Sequence, residues 1–180
     1  MLTLAFIATV LGAFIVIVNV PAVVMPGLFR RMVLSFPRSK LPAWLLTVFD
    51  LTWVAWVILH ASLGRFDYLK PAIYPAAPIA FLLLVIFMDE LLAPRALGGL
   101  LLLIANPVLA AARWHESDWR LVITVIAYAW VILGMVLVLT PYQFRRLVDF
   151  ATRTPLRCRL LGLLRMAFGA FILFLGLRVY

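Results

Sequence analysis

The chain has 180 residues, of which 67% are hydrophobic and only 13% are charged, and its mean hydropathy is +1.15. A soluble fold would have too few polar side chains to cover its surface, so the composition excludes the soluble classes and predicts a membrane protein. The net charge of +9 does not predict a nucleic-acid partner, because the basic residues cluster in short segments beside apolar stretches instead of coating one face.

Six stretches are long and apolar enough to cross a bilayer, which takes roughly 20 residues for about 30 Å of hydrocarbon. In chain order they are Leu2 to Val24, Ala43 to Ser62, Ala72 to Leu91, Ala96 to Ala112, Trp119 to Leu139 and Leu156 to Leu177. The first lacks the basic start and the cleavage pattern of a signal peptide, so we expect it to be retained. Pro75 and Pro78 in the third stretch and Pro107 in the fourth predict kinks or local unwinding. The predicted fold is all-α: a polytopic membrane protein with six transmembrane helices in one domain.

Lysine and arginine are unequally divided between the two sides of the predicted membrane. Ten of them lie in the first, third and fifth connections, whereas five lie in the second and fourth connections and at the end of the chain. The positive-inside rule therefore places the odd-numbered connections in the cytoplasm and both termini outside.

A self-match at an offset of 115 residues links the first helical hairpin to the last. The residues Pro26, Phe29, Arg30, Arg31 and Val33 recur as Pro141, Phe144, Arg145, Arg146 and Val148. Helices 1 and 2 then match helices 5 and 6, and because four crossings separate the copies, the match predicts a parallel internal repeat about an axis along the membrane normal. Chance similarity between hydrophobic hairpins is the alternative. The repeat divides the chain into a first hairpin (1–63), a central helix pair (64–114) and a second hairpin (115–180).

Each repeat contains a short segment with the pattern of an interfacial amphipathic helix. Apolar residues at i, i+3, i+4 and i+7 form two stripes, namely Phe29, Met32, Val33 and Phe36, and Phe144, Leu147, Val148 and Ala151. The paired arginines on the other flank, Arg30, Arg31, Arg145 and Arg146, are predicted to contact anionic lipid head groups or the acidic surface of a partner. Anchoring alone is the simpler interpretation of both segments.

The same offset aligns Asp50 with Arg165, two opposite charges inside apolar stretches. A lone charge near the bilayer centre costs about 2.5 to 3.5 kcal/mol, so we predict a buried ion pair between the second and sixth helices. Gly162, Gly169 and Gly176, at seven-residue spacing, would let another backbone approach the sixth helix closely. The pair would act as a structural clamp or as a proton or ion relay, and the absence of direct pairing is the third alternative.

The remaining polar residues give weaker signals. Asp89 and Glu90 are carboxylates at the predicted cytoplasmic mouth, and they fit either a solvated turn or a cation or proton site. His60 and His115 would lie on the outer side, where a metal or haem site competes with a simpler interpretation as interfacial polar residues. They lack ligand spacing on one helix, so no metal site is predicted, and no motif indicates a cofactor. The single cysteine, Cys158, excludes an intramolecular disulfide.

Three common sequence signatures of enzymes do not occur in the chain. A nucleophile with a partnered base, a phosphate-binding glycine loop and a zinc-binding helix motif are all missing. The sequence therefore predicts no enzymatic activity.

Roughly the last forty residues carry a pattern found in a small family. It consists of a glycine-bearing helix that ends in Leu139, Thr140 and Pro141, then Phe144, Arg145 and Arg146, and then Arg159, Gly162 and Gly169 in a final helix. This segment resembles the small two-helix inner-membrane proteins of the YjeT type, although the chain has four more predicted helices and an arginine at position 165. The resemblance implies a bacterial inner membrane, and it brings no catalytic residue and no ligand. In that membrane, the count of basic residues would place both termini in the periplasm.

The absence of a soluble domain and of site chemistry predicts a structural role. We expect a non-catalytic integral subunit, or an assembly and stabilising partner, of a larger inner-membrane complex that contacts other membrane-protein subunits and anionic lipids. The alternative is a small solute or ion transporter that uses a buried site at Asp50 and Arg165 between the repeats.

Overall fold

The structure is a computed structural model that describes residues 3–88 and 91–180, and this part of the chain is helical without strands. Its α-helices are α1 (Leu4–Val24), α2 (Pro26–Ser35), α3 (Lys40–His60), α4 (Ile73–Phe87), α5 (Leu92–Arg113), α6 (Arg120–Leu139), α7 (Tyr142–Ala151) and α8 (Pro155–Arg178). Segments of 3₁₀-helix over Phe36–Arg38 and Gly64–Ala72 precede α3 and α4.

Six helical segments are long and apolar enough to cross a membrane, which confirms the prediction of an all-helical polytopic protein. The third segment differs in detail, because its α-helical part covers only Ile73–Phe87 and its length comes from the 3₁₀ residues before it. Prolines have no backbone N–H, and Pro71 and Pro75 therefore cannot donate α-type hydrogen bonds at this helix start. The predicted unwinding at Pro107 is not present, since α5 continues through it.

Local capping explains where several helices begin. The Thr3 hydroxyl accepts a hydrogen bond from the Phe6 backbone N–H at 3.3 Å, and the Thr154 hydroxyl accepts one from the Arg157 N–H at 3.2 Å. These are N-cap bonds that satisfy free donors in the first turns of α1 and α8. Pro155 stands at the first position of α8, where its missing N–H costs no helical hydrogen bond.

The helices cross in alternation, so α2, α7, the end of α4 and the start of α5 share one side, which we call the basic side, and the opposite side is the far side. The closest helix pair is α1 with α8, which run antiparallel. A Cβ atom at Gly169 would lie 2.7 Å from Ile15 Cγ2, and one at Gly176 would lie 2.6 Å from the Thr9 backbone nitrogen. The glycines of α8 therefore bring its backbone against α1.

The second close pair is α5 with α6, where a Cβ atom at Gly98 would lie 2.7 Å from the Gly134 carbonyl oxygen. The two pairs meet towards the far side in one buried apolar cluster that takes residues from α1, α5, α6 and α8. Its members are Leu4, Ala8, Val108, Ala112, Ile123, Ala127 and Ile172. Three of the seven members are alanines, which let helix backbones approach closely, as expected where packing rather than the hydrophobic effect holds helices together in lipid.

The remaining helices, α3 and α4, lie at the edge of this four-helix arrangement. The helix α3 packs against α5, and α4 packs against α3. The two central helices, α4 and α5, thus have different main partners. The helix α5 packs against α6 and α3, whereas α4 packs against α3 on its outer side. Ala43, Leu92 and Ala93 form a small buried cluster at the basic end of the α3–α5 boundary.

Helix bounds recur at the offset of the predicted repeat. The helices α1 and α6 end at Val24 and Leu139, and α3 and α8 begin at Lys40 and Pro155, each pair 115 residues apart. The C-cap residues of α1 and α6 have the same backbone angles, with φ near −130° and ψ of 67° in both. The main helix partners differ, since α1 packs against α8 while α6 packs against α5. The helix ends of the two hairpins therefore correspond at an offset of 115 residues. The internal repeat as a whole remains a prediction.

Candidate functional site

Asp50 lies within α3 and faces α5. Its Oδ2 is 3.0 Å from the position that a Cβ atom would take at Gly99, and its Oδ1 is buried without a hydrogen-bond partner among the described residues. The missing side chain at Gly99 leaves the space that the carboxylate occupies. A buried oxygen that lacks a hydrogen bond is costly, which sets Asp50 apart from the other acidic residues of the described chain.

Arg95 lies one helical turn before Gly99 on nearly the same face of α5. Its Nε is also buried and has no hydrogen-bond partner among the described residues. Asp50 and Arg95, each with a buried atom that lacks a hydrogen bond among the described residues, therefore both lie along the boundary between α3 and α5. Sequence reasoning missed Arg95 because it was counted only as a connection charge, although its i, i+4 spacing to Gly99 would have indicated the shared face.

The predicted ion pair between Asp50 and Arg165 is not formed in the structure. Among the described residues no ion pair joins Asp50 to any arginine, and α3 is not a main packing partner of α8. The helix α5 separates the two residues, since Leu97 borders the same cleft as Arg165 whereas Gly99 faces Asp50. Positions two residues apart on an α-helix differ by about 200°, so Leu97 and Gly99 point to nearly opposite sides of α5. The glycine stripe of α8 did predict a close helix contact, but its partner is α1.

Arg165 borders a cleft of about 240 Å³ between α2 and α7. The lining comes from α2, α5, α6, α7, the residue after α7, and α8, and it is apolar except for Arg165 and Thr152. These residues are Phe29, Val33, Leu97, Leu133, Leu137, Phe144, Leu147, Val148, Ala151, Thr152 and Arg165. Much of the two predicted apolar stripes thus faces a cleft of the protein itself.

The four predicted interfacial arginines, Arg30, Arg31, Arg145 and Arg146, are all exposed on the basic side. The Arg145 Nε lies 3.9 Å from Asp149 Oδ2, and the Arg146 guanidinium lies 5.4 Å from the centre of the Tyr142 ring. The helices that carry them touch each other, and the ring of Phe36, the residue after α2, lies 5.5 Å from the ring of Phe144 on α7, measured between centres. Contact of these arginines with lipid or a partner stays a prediction.

A larger cavity of about 540 Å³ opens on the basic side where α3, α5 and α7 begin. Arg38, Lys40 and Arg145 supply its positive charge, and Trp44 and Tyr142 supply aromatic rings. The cavity reaches Leu91, next to the predicted mouth carboxylates. Those two, Asp89 and Glu90, lie outside the described residues.

The two histidines lie in separate places at the far ends of α3 and α5. The His60 Nδ1 donates to the Trp56 carbonyl at 2.8 Å, and the ring lies 4.7 Å from the Trp56 indole. The His115 Nδ1 accepts from the Ser117 N–H at 3.2 Å, and its ring meets Tyr180 edge to face at 5.3 Å. Each ring is thus held by its own local contacts. Across residues 3–88 and 91–180, no three metal-ligating side chains come together.

No protein-family model, no curated protein and no solved structure matches this chain. The resemblance of the last hairpin to YjeT-type proteins therefore remains a prediction from its residues.

Proposed function

We propose that the protein is a non-catalytic integral subunit, or an assembly partner, of a larger complex in a bacterial inner membrane. The observation that carries the proposal is the position of α4. Among the described residues, none of this helix is buried, and its main α-helical partner is α3. The helix thus offers most of its circumference to another membrane protein.

The sequence of α4 favours a protein neighbour over lipid. Pro78 lies inside the helix and removes the N–H that would bond to the Tyr74 carbonyl. In hydrocarbon, backbone groups freed by proline are satisfied by neighbouring helices, polar side chains or water. The Tyr74 side chain is 70% exposed, so the side of the helix start that it occupies is open to such a neighbour.

Site-specific photo-crosslinking in native membranes tests the proposal. A photoreactive residue at Leu82 or Ile86 on α4 is expected to give one discrete adduct with another membrane protein. Val125 on α6 is the matched control, because it is similarly exposed at 66%, against 57% for Leu82 and 68% for Ile86. Adducts of equal strength from α4 and α6, or none from α4, would contradict a specific complex.

Asp50 gives a second candidate function, a small ion or solute transporter. Ionisable groups inside membrane spans often form proton or ion pathways, and the buried Asp50 carboxylate has an oxygen without a hydrogen bond among the described residues. Arg95 on the same boundary would supply the neighbouring positive charge. On this hypothesis the two groups form a site between α3 and α5, instead of the site with Arg165.

A flux measurement separates the two functions. Purified protein in liposomes loaded with a pH-sensitive dye should carry protons or an ion if Asp50 is a relay, and Asp50→Asn should abolish the flux. A subunit without transport activity gives no flux with either protein. Flux that survives Asp50→Asn would exclude the relay at this residue.

A further inference from the structure

We propose that the cleft between α2 and α7 binds an acidic phospholipid, with the head-group phosphate on Arg165 and an acyl chain along the apolar lining. This site is independent of the proposed complex, since it lies on other helices than α4.

The lining of the cleft suits an acyl chain. Phe29 and Val33 of α2 face Phe144 and Val148 of α7 across it, and these are equivalent positions at the 115-residue offset. The walls below come from α5 and α6, with Leu97, Leu133 and Leu137. Apolar stripes of interfacial helices usually sink into lipid, and here two of them border one opening instead.

Arg165 is placed to reach a phosphate at the membrane surface. It follows Arg159 by six residues on α8, which corresponds to roughly 9 Å along the helix. Side chains on a helix lean towards its N-terminus, and long arginine side chains extend to the interface, so an arginine at this depth can bring its guanidinium towards the basic side. The cleft itself extends that way, because Thr152, the residue after α7, lines it together with Arg165.

The charge around the cleft favours an acidic lipid over a neutral one. Arg165 forms no ion pair with any described residue, and the lining contains no carboxylate. The nearest acid on α7, Asp149, faces Arg145 on the other flank of that helix. A planar guanidinium binds phosphate through two hydrogen bonds, and the exposed arginines on α2 and α7 add a positive field at the entrance.

Native mass spectrometry of delipidated protein in detergent tests the site. We expect wild type to retain one phosphatidylglycerol and to bind phosphatidylcholine of the same chains at least tenfold more weakly. Arg165→Gln should lower phosphatidylglycerol binding at least tenfold, whereas Arg159→Gln, a matched change of an exposed arginine outside the cleft on the same helix, should not. Val148→Trp, which fills the cleft and keeps every charge, should also lower it.

Each opposite result overturns the proposal. Equal retention of the two lipids would leave no role for the charge, and unchanged binding by Arg165→Gln or by Val148→Trp would remove the lipid from the cleft. Inorganic phosphate should not displace the lipid, because it has no chain for the apolar walls, and displacement would assign the site to a free anion. Circular dichroism checks that the variants fold. If Arg165→Gln does not fold, Arg165→Lys and Val148→Trp replace it in the test. We expect Arg165→Lys to bind phosphatidylglycerol more weakly than wild type.

Discussion

One missing side chain determines where the Asp50 carboxylate lies. The Gly99 backbone leaves a space in α5, and the acidic oxygen of α3 occupies it at 3.0 Å from where a Cβ would be. Charge pairing, which the sequence suggested for Asp50, is therefore not what positions this residue. Steric room at a glycine is the local cause.

Filling that space should destabilise the protein. We expect Gly99→Leu to lower the free energy of unfolding in detergent by about 1–3 kcal/mol, the usual cost of overpacking. Asp50→Ala should recover part of the loss in the double variant, since the two side chains compete for the same space, and a double-mutant cycle measures this coupling. Gly27→Leu is the control, because a Cβ there meets nothing within 4 Å. Additive effects of the two changes would contradict the contact.

Tyr180 attaches the end of the described chain to the α5–α6 connection. Its hydroxyl donates to the Trp119 carbonyl at 2.6 Å, and burial raises the pKa of this hydroxyl above its ordinary value. A group whose native pKa is raised stabilises the fold at pH below its unfolded pKa, about 10 for tyrosine, and this stability is lost as pH rises through the native pKa.

Tyr180→Phe should therefore cost about 1 kcal/mol near neutral pH, the net value of one hydrogen bond. The difference in melting temperature between wild type and variant should shrink above about pH 10, because the ionised wild-type oxygen no longer donates. Tyr68→Phe, at a side chain that is 72% exposed, serves as the comparison. A difference that stays constant up to high pH would speak against the hydrogen bond.

At the scale of elements, the α1–α8 pair depends on glycines rather than on large apolar side chains. Gly169→Leu should separate the pair, because even a Cβ atom would lie 2.7 Å from Ile15 Cγ2. We expect a stability loss of at least about 1–3 kcal/mol. Ala170→Leu, one residue further and exposed, should have little effect.

Cys158 provides the measurement for this pair. Its Sγ is buried on α8 and donates to the Ala22 carbonyl of α1 at 3.7 Å. A thiol-reactive fluorophore should therefore label Gly169→Leu faster than wild type or Ala170→Leu. Labelling at the wild-type rate would mean that the helices remain together and that the glycine contact is not essential.

The sequence predicted the helices well and their partners poorly. Hydrophobic length is a property of one segment, so α6 could be placed to within a residue from its composition. The choice of partner depends on which faces meet, and all faces of these helices are apolar enough for lipid or protein. The glycines of α8 predicted a close contact but carried no information that α1, and not α3, would make it. Asp50 was recognised as unusual, but the i, i+4 spacing of Arg95 and Gly99 does not say that Asp50 of α3 would face them.

At the scale of the whole molecule, the unequal distribution of basic residues predicts that the basic side faces the cytoplasm. Single cysteines introduced into a Cys158→Ser background should report this orientation in spheroplasts. We expect Gly27→Cys on the basic side to be protected from a membrane-impermeant maleimide, and Tyr68→Cys on the far side to react. Reaction of Gly27→Cys without reaction of Tyr68→Cys would mean that the basic side faces the periplasm, opposite to the prediction.

The pairing of α1 with α8 has a consequence for biogenesis. About 130 residues separate the end of one helix from the start of the other, so a ribosome must synthesise this whole stretch before α1 can meet its closest neighbour. Contacts this distant in sequence form slowly, and surfaces that wait for them are prone to wrong association. Until translation delivers α8, the face of α1 that later contacts the α8 glycines would stay open to insertion factors, chaperones or proteases.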